Sequence, residues 1–308
     1  MRIRWTAALA AALTITACST PADEERQERA ASQSHYLSLG DSLTVGVQPD
    51  ESGVPVETSE GYTDVLYRAL KDEDSTLVHE RMGCGGEDTT TFIEGGLMRC
   101  DLRYEGDSQL DRAVTFLEEH GDRVDLVTLT IGGNNFTDCV NGVPSDPEAE
   151  IDPDALGVNE ECVADGLERL ETEVPVIAER LVEAASPDTR IVAMTYYNPF
   201  QALALAAGPE AAASGGGPAA RTVEIIDAVN ASLVDSYEAA GIEVADVAGA
   251  FHAAGAEAPS EGDGAELPAD LRAVCALTWM CDTVRGPDIH TNPAGARTIA
   301  EAFQERLG

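Results

Sequence analysis

Two kinds of apolar pattern alternate along this chain. Short runs bounded by glycine or polar turns predict buried strands over residues 36–39, 76–80, 124–131, 191–195 and 242–247. The run over 124–131, VDLVTLTI, is rich in β-branched residues, the composition that packs best on a pleated surface. Between the runs, apolar residues recur every three or four positions. Val65, Leu66, Ala69 and Leu70 predict a helix over 62–70, and Leu110, Ala113, Val114 and Leu117 another over 110–117. Further helices are expected over 163–185, where Pro175 implies a kink or a break, over 223–239 before Gly241, and over 293–307 with Pro293 in the first turn. Strand and helix alternate five times. That order predicts an α/β protein: a doubly wound three-layer α/β/α domain around a parallel five-stranded sheet. The alanine-, glycine- and proline-rich stretch 206–220 and the acidic stretch 253–268 read as loops.

The amino terminus has a different character. Arg2 and Arg4 precede a short apolar run over 5–17, the form of an export signal, here residues 1–17. Ile15-Thr16-Ala17-Cys18 is similar to a bacterial lipobox, which implies cleavage before Cys18 and lipidation of its sulfur; a plain signal cut nearby, with Cys18 incidental, is the alternative. Residues 18–34 then form a lipidated polar tether and 35–308 the folded domain. Acidic residues outnumber basic ones 56 to 19, a formal net charge of −37, and Lys71 is the single lysine. Such a field repels phosphate backbones and anionic head groups, so nucleic acid is excluded as a partner and membrane contact is expected only through the anchor. The sequence reading expects an exported monomer, on the outer face of the membrane or secreted.

In an open parallel sheet, ligands bind beyond the carboxyl ends of the strands. The first strand ends in Gly40-Asp41-Ser42-Leu43, where a serine could serve as nucleophile if a base reached it. The second runs into Gly83-Cys84-Gly85-Gly86-Glu87-Asp88, whose glycines leave backbone N–H groups free to face a ligand. The third ends in Gly132-Gly133-Asn134-Asn135, and Asp288-Ile289-His290 precedes the last helix. Taken singly, each is an ordinary turn or cap. Their joint occurrence at one sheet edge is not ordinary.

As a set, these four segments resemble the SGNH/GDSL hydrolases, a flavodoxin-like fold family. The resemblance implies a serine esterase, of the lipase, esterase or carbohydrate acetyl esterase kind, working through an acyl-serine. It implies Ser42 as nucleophile, His290 as base and Asp288 as the third member. The oxyanion hole would comprise the Ser42 and Gly86 N–H groups and the Asn134 amide, with Gly85 the rival to Gly86. Two departures stand out. Asn135 follows Asn134 where the family usually has aspartate. Asp288 lies two residues before the histidine rather than three, which leaves the Pro287 carbonyl as rival for the orienting role. The implied partner is an ester substrate; no cofactor and no metal are expected. Removing Cys18 leaves six cysteines, which allow 15 pairings. Sequence neighbours give the simplest, Cys84–Cys100, Cys139–Cys162 and Cys275–Cys281, in line with secreted relatives that carry three cystines. His35, His79, His120 and His252 read as surface or packing residues. Two rival readings stay open: a non-catalytic surface-binding module on the same fold, and an acyltransferase with the same acyl-enzyme.

Overall fold

The computed structural model describes residues 33–141, 155–206, 217–257 and 267–308. The candidate signal, Cys18 and nearly all of the tether lie outside the described residues, as does most of each expected loop. Residues 34–308 form one unit.

Five strands form the central sheet: β1 (His35–Gly40), β2 (Val78–Arg81), β3 (Val124–Thr130), β4 (Arg190–Met194) and β5 (Glu243–Ala245). They pair in the order β2-β1-β3-β4-β5, all parallel, with Leu39 beside Leu129 and Gly40 beside Thr130. The connections reverse direction between β1 and β3, which opens a crevice at their carboxyl ends. The inner strands carry few polar side chains because helices cover both faces. Tyr36, Leu37, Leu39, Val127, Leu129 and Val192 are fully buried.

Helices α1 (Tyr62–Glu73), α2 (Thr89–Glu94), α3 (Gln109–His120), α4 (Glu160–Ala184), α5 (Pro218–Ala239), α6 (Val247–Glu257), α7 (Ala269–Leu277) and α8 (Pro293–Leu307) complete the layers. α1 packs on α8, where the Tyr62 and Phe303 rings stack 5.0 Å apart; α3, α4 and α5 pack in series. Four expectations are corrected. Pro175 does not break α4, which runs unbroken through it. Glu171, whose carbonyl loses its partner, is exposed to water, and Val174, Ile177, Ala178 and Leu181 bury the opposite stripe. The expected loop over 253–268 begins as the end of α6, and α7 follows it; α5 starts at Pro218 rather than at 223. The fifth strand ends at Ala245 because Val247 already belongs to α6. Among the described residues, no helix is long and apolar enough to cross a membrane.

Candidate active site

Gly40 closes β1 with φ +124°, and a Cβ there would sit 1.9 Å from the Thr130 carbonyl oxygen, so only glycine fits. The turn that follows presents Ser42, while Asp41 points inward. The Asp41 carboxylate accepts from the Tyr196 hydroxyl at 2.7 Å, the Leu43 N–H at 3.0 Å and the Thr130 hydroxyl at 3.1 Å. Burial raises the Asp41 pKa, and these three donors oppose the shift. Tyr196 lies just beyond β4, a strand end the sequence reading passed over.

The strap after β2 is pinned at both ends. The Cys84 N–H donates to the Gly40 carbonyl at 2.9 Å, and Cys84 is bonded to Cys100. At the far end Asp88 caps α2 through the Thr91 N–H and pairs with Arg169 of α4 at 2.6 Å. Between the pins, Gly86 has φ +90°. A Cβ at Gly85 would approach Ser42 to 3.8 Å, whereas one at Gly86 would point toward Leu97 and Arg99. Both candidate oxyanion glycines thus lie on one strap, with Gly85 beside Ser42 and Gly86 next to it in the chain.

Beyond β3, the Asn134 amide donates to the Glu87 carbonyl at 2.8 Å, and its oxygen accepts from the Thr137 hydroxyl at 3.1 Å. This fixes the amide orientation and leaves its second hydrogen for a ligand. Asn135 is buried, accepts from the Thr89 N–H at 3.1 Å and donates to the Thr89 hydroxyl at 2.8 Å. Thr89 and Thr90 donate in turn to Glu173 of α4. An aspartate could take the first of these bonds but could not donate the second while ionised. The departure from the family pattern at Asn135 therefore has a local partner.

The histidine arrives from the opposite side. His290 Nδ1 lies 2.7 Å from Asp288 Oδ1, which also accepts the His290 N–H at 2.8 Å. Asp288 is buried, and the His290 side chain keeps 13% exposure. The loop is braced by Trp279, whose N–H donates to the His290 carbonyl at 3.0 Å, and by the Tyr197 hydroxyl on the Ile289 carbonyl at 2.7 Å. Cys275–Cys281 ties the end of α7 to the approach, and Cys139–Cys162 ties the Asn134 loop to the first turn of α4. All three neighbour pairings are formed.

One cleft takes in Ser42, Asn134 and His290 together, and its deeper wall is apolar, with Phe136, Val163, Ile225 and Val229. The other histidines stand apart from it: His35 packs against Phe116 and His120, and His79 on β2 stacks on its β1 neighbour Tyr36, where burial lowers its pKa to about 3. His252 pairs with Asp270 on the surface. Among the described residues, no three of His, Cys, Asp and Glu gather as metal ligands would.

A parallel five-stranded sheet with helices on both faces, and with serine, asparagine and histidine lining one cleft, is the arrangement of an SGNH-type hydrolase domain. The chain belongs to the GDSL-like lipase/acylhydrolase family, whose pattern it matches over residues 38–298, and it is an ester hydrolase. Comparison with curated proteins gives no match. Among solved structures, an extracellular lipase from Streptomyces rimosus is similar, with TM-score 0.50 and 16% identity over 88% of this chain and 99% of that one. So is an acetylxylan esterase, Axe2, from Geobacillus stearothermophilus, with TM-score 0.50 and 16% identity over 89% and 94%. At such identities the likeness speaks to fold alone. Three disulfides are the mark of a protein that matures in an oxidising, exported setting.

Proposed function

We propose that the chain is a serine esterase that cleaves carboxylic esters through an acyl-Ser42 intermediate. The observation that carries this is the His290–Asp288 pair at 2.7 Å in the cleft that holds Ser42 and Asn134. With Nδ1–H donated to the carboxylate, Nε2 is left as the acceptor. It takes the Ser42 proton as Oγ attacks the carbonyl carbon. Asp288, rather than the Pro287 carbonyl, holds the ring in that tautomer. The oxyanion meets the Ser42 and Gly86 N–H groups and the free hydrogen of Asn134. His290 then passes its proton to the departing alcohol, and water repeats the cycle on the acyl-enzyme.

The apolar wall of Phe136, Val163, Ile225 and Val229 supports an acyl group longer than acetyl. Burying each additional CH₂ is worth about 0.8 kcal/mol. The test is a series of p-nitrophenyl esters of rising acyl length, run beside Ser42→Ala. kcat/KM should rise from acetate toward medium chains and vanish in the variant. A maximum at acetate would reject the acyl preference, and retained activity in Ser42→Ala would reject the nucleophile.

The same reading places the enzyme at the outer membrane face through Cys18, on the strength of the Ile15–Cys18 segment and the polar stretch behind it. Cys18→Ser should release it from membranes, and retention in the membrane fraction would contradict the anchor. Its charge of −37 opposes self-association and supports a monomer.

A further inference from the structure

One group beside the site is not used by that mechanism. Glu87, on the strap between Gly86 and Asp88, is fully buried, and neither carboxyl oxygen has a hydrogen-bond partner. A carboxylate in such a place carries a large desolvation penalty with nothing to offset it. Yet the main chain of this residue is committed to the site, because its carbonyl accepts the Asn134 amide at 2.8 Å and its N–H closes a turn on the Cys84 carbonyl at 3.4 Å.

We propose that Glu87 is a positioning residue for the oxyanion hole, seated only while its carboxyl is uncharged, and that its ionisation unseats the strap and with it Asn134. The inference rests on the serine-esterase reading above. The strap has room to move only in its middle. Cys84 is held by its disulfide and by Gly40, and Asp88 by Arg169, so displacement falls on Gly85, Gly86 and Glu87. Gly86, at φ +90°, can absorb the change in backbone angle.

The acidic neighbours favour the neutral form. Asp88 on the strap and Asp41 from the end of β1 repel a charge on Glu87. Tyr104, from the turn before α3, faces it with a hydroxyl that donates to the Met82 carbonyl. Arg103 is engaged by Glu57 at 2.8 Å and by the Gly83 carbonyl, and Arg99 lies by Gly86. Burial first, then Asp88 and Asp41, push the Glu87 pKa up to about 8. The proton is therefore retained through neutral pH and lost in mild alkali.

The experiment measures kcat and KM of the full-length enzyme from about pH 6 to about pH 10, beside Glu87→Gln, with melting temperatures at each pH. Wild-type kcat should break near pH 8 and fall about tenfold per pH unit with KM little changed, because the oxyanion forms only in the transition state. Glu87→Gln, uncharged at every pH, should lose that break. Glu87→Met serves the same purpose if the buried amide prevents folding. A wild-type kcat that stays flat to about pH 10, a break carried by KM, or the same alkaline limb in folded Glu87→Gln or Glu87→Met would each overturn the proposal. Ser42→Ala separates this from failure of the esterase reading: activity surviving in that variant rejects the nucleophile, whereas an inactive Ser42→Ala with an unchanged limb in the Glu87 variants rejects only the role of Glu87.

Discussion

Asp41 and Glu87 are buried acids on neighbouring turns, one next to Ser42 and one on the strap that holds Asn134. Asp41 has three donors aimed at its two oxygens, from Tyr196, Thr130 and the Leu43 main chain. Glu87 has none. The contrast shows that burial alone does not decide how a carboxyl behaves. Directed donors satisfy the Asp41 carboxyl and knit β1, β3 and the β4 end together next to Ser42. Without donors, Glu87 is a neutral filler whose place depends on its proton.

The comparison is broken most forcefully at Asp41. Asp41→Leu leaves the Tyr196 and Thr130 hydroxyls and the Leu43 N–H without their acceptor, and should cost about 3–5 kcal/mol by chemical denaturation. A loss below about 1 kcal/mol would mean those bonds do not anchor the turn.

Next in size is the proposed oxyanion donor, the Asn134 amide that the Glu87 carbonyl holds. Asn134→Ala should lower kcat by about 10²–10³ with KM nearly constant, at an unchanged melting temperature. A wild-type kcat would remove Asn134 from the hole.

The effect of opposite sign is on stability at Glu87 itself. Its folded pKa is raised to about 8 from the ordinary 4.5. Between those values the unfolded chain releases its proton while the folded chain keeps it. The wild type therefore loses stability as pH rises through that window, by up to about 1.4 kcal/mol per unit, and the loss levels off above it. Glu87→Met has no such group. Its stability relative to wild type should climb from about pH 5 to about pH 8 and then plateau, and a difference independent of pH would contradict the buried neutral carboxyl.

The sheet and the site were legible for the same reason. A strand buried on both faces must be an apolar run, and the glycines that let its end turn toward a ligand punctuate it, as at Gly40 and Gly132. Where that punctuation is missing, reading failed. Tyr196 follows β4 without a glycine, so its hold on Asp41 could be found only in three dimensions; the rule that ligands meet strand ends would have pointed there. α6 went unread because alanine and glycine dominate Val247–Glu257, blurring the contrast between faces on which periodicity depends, whereas α7 does carry a periodic stripe, Leu271, Val274 and Leu277, that was passed over. Asp288 against the Pro287 carbonyl was a question of direction, not of composition, and the 2.7 Å contact to Nδ1 favours the carboxylate. Glu87 carries no sequence signal at all: a glutamate beside glycines reads as a solvated turn residue until its burial is seen.

Everything proposed for the cleft turns on Ser42 as a nucleophile activated by His290. Treating the active enzyme with a fluorophosphonate and mapping the modified peptide by mass spectrometry tests this directly. One adduct is expected, on Ser42, formed in step with loss of esterase activity and strongly slowed in His290→Ala. Complete inactivation with Ser42 unmodified, or labelling that proceeds equally fast in His290→Ala, would contradict it.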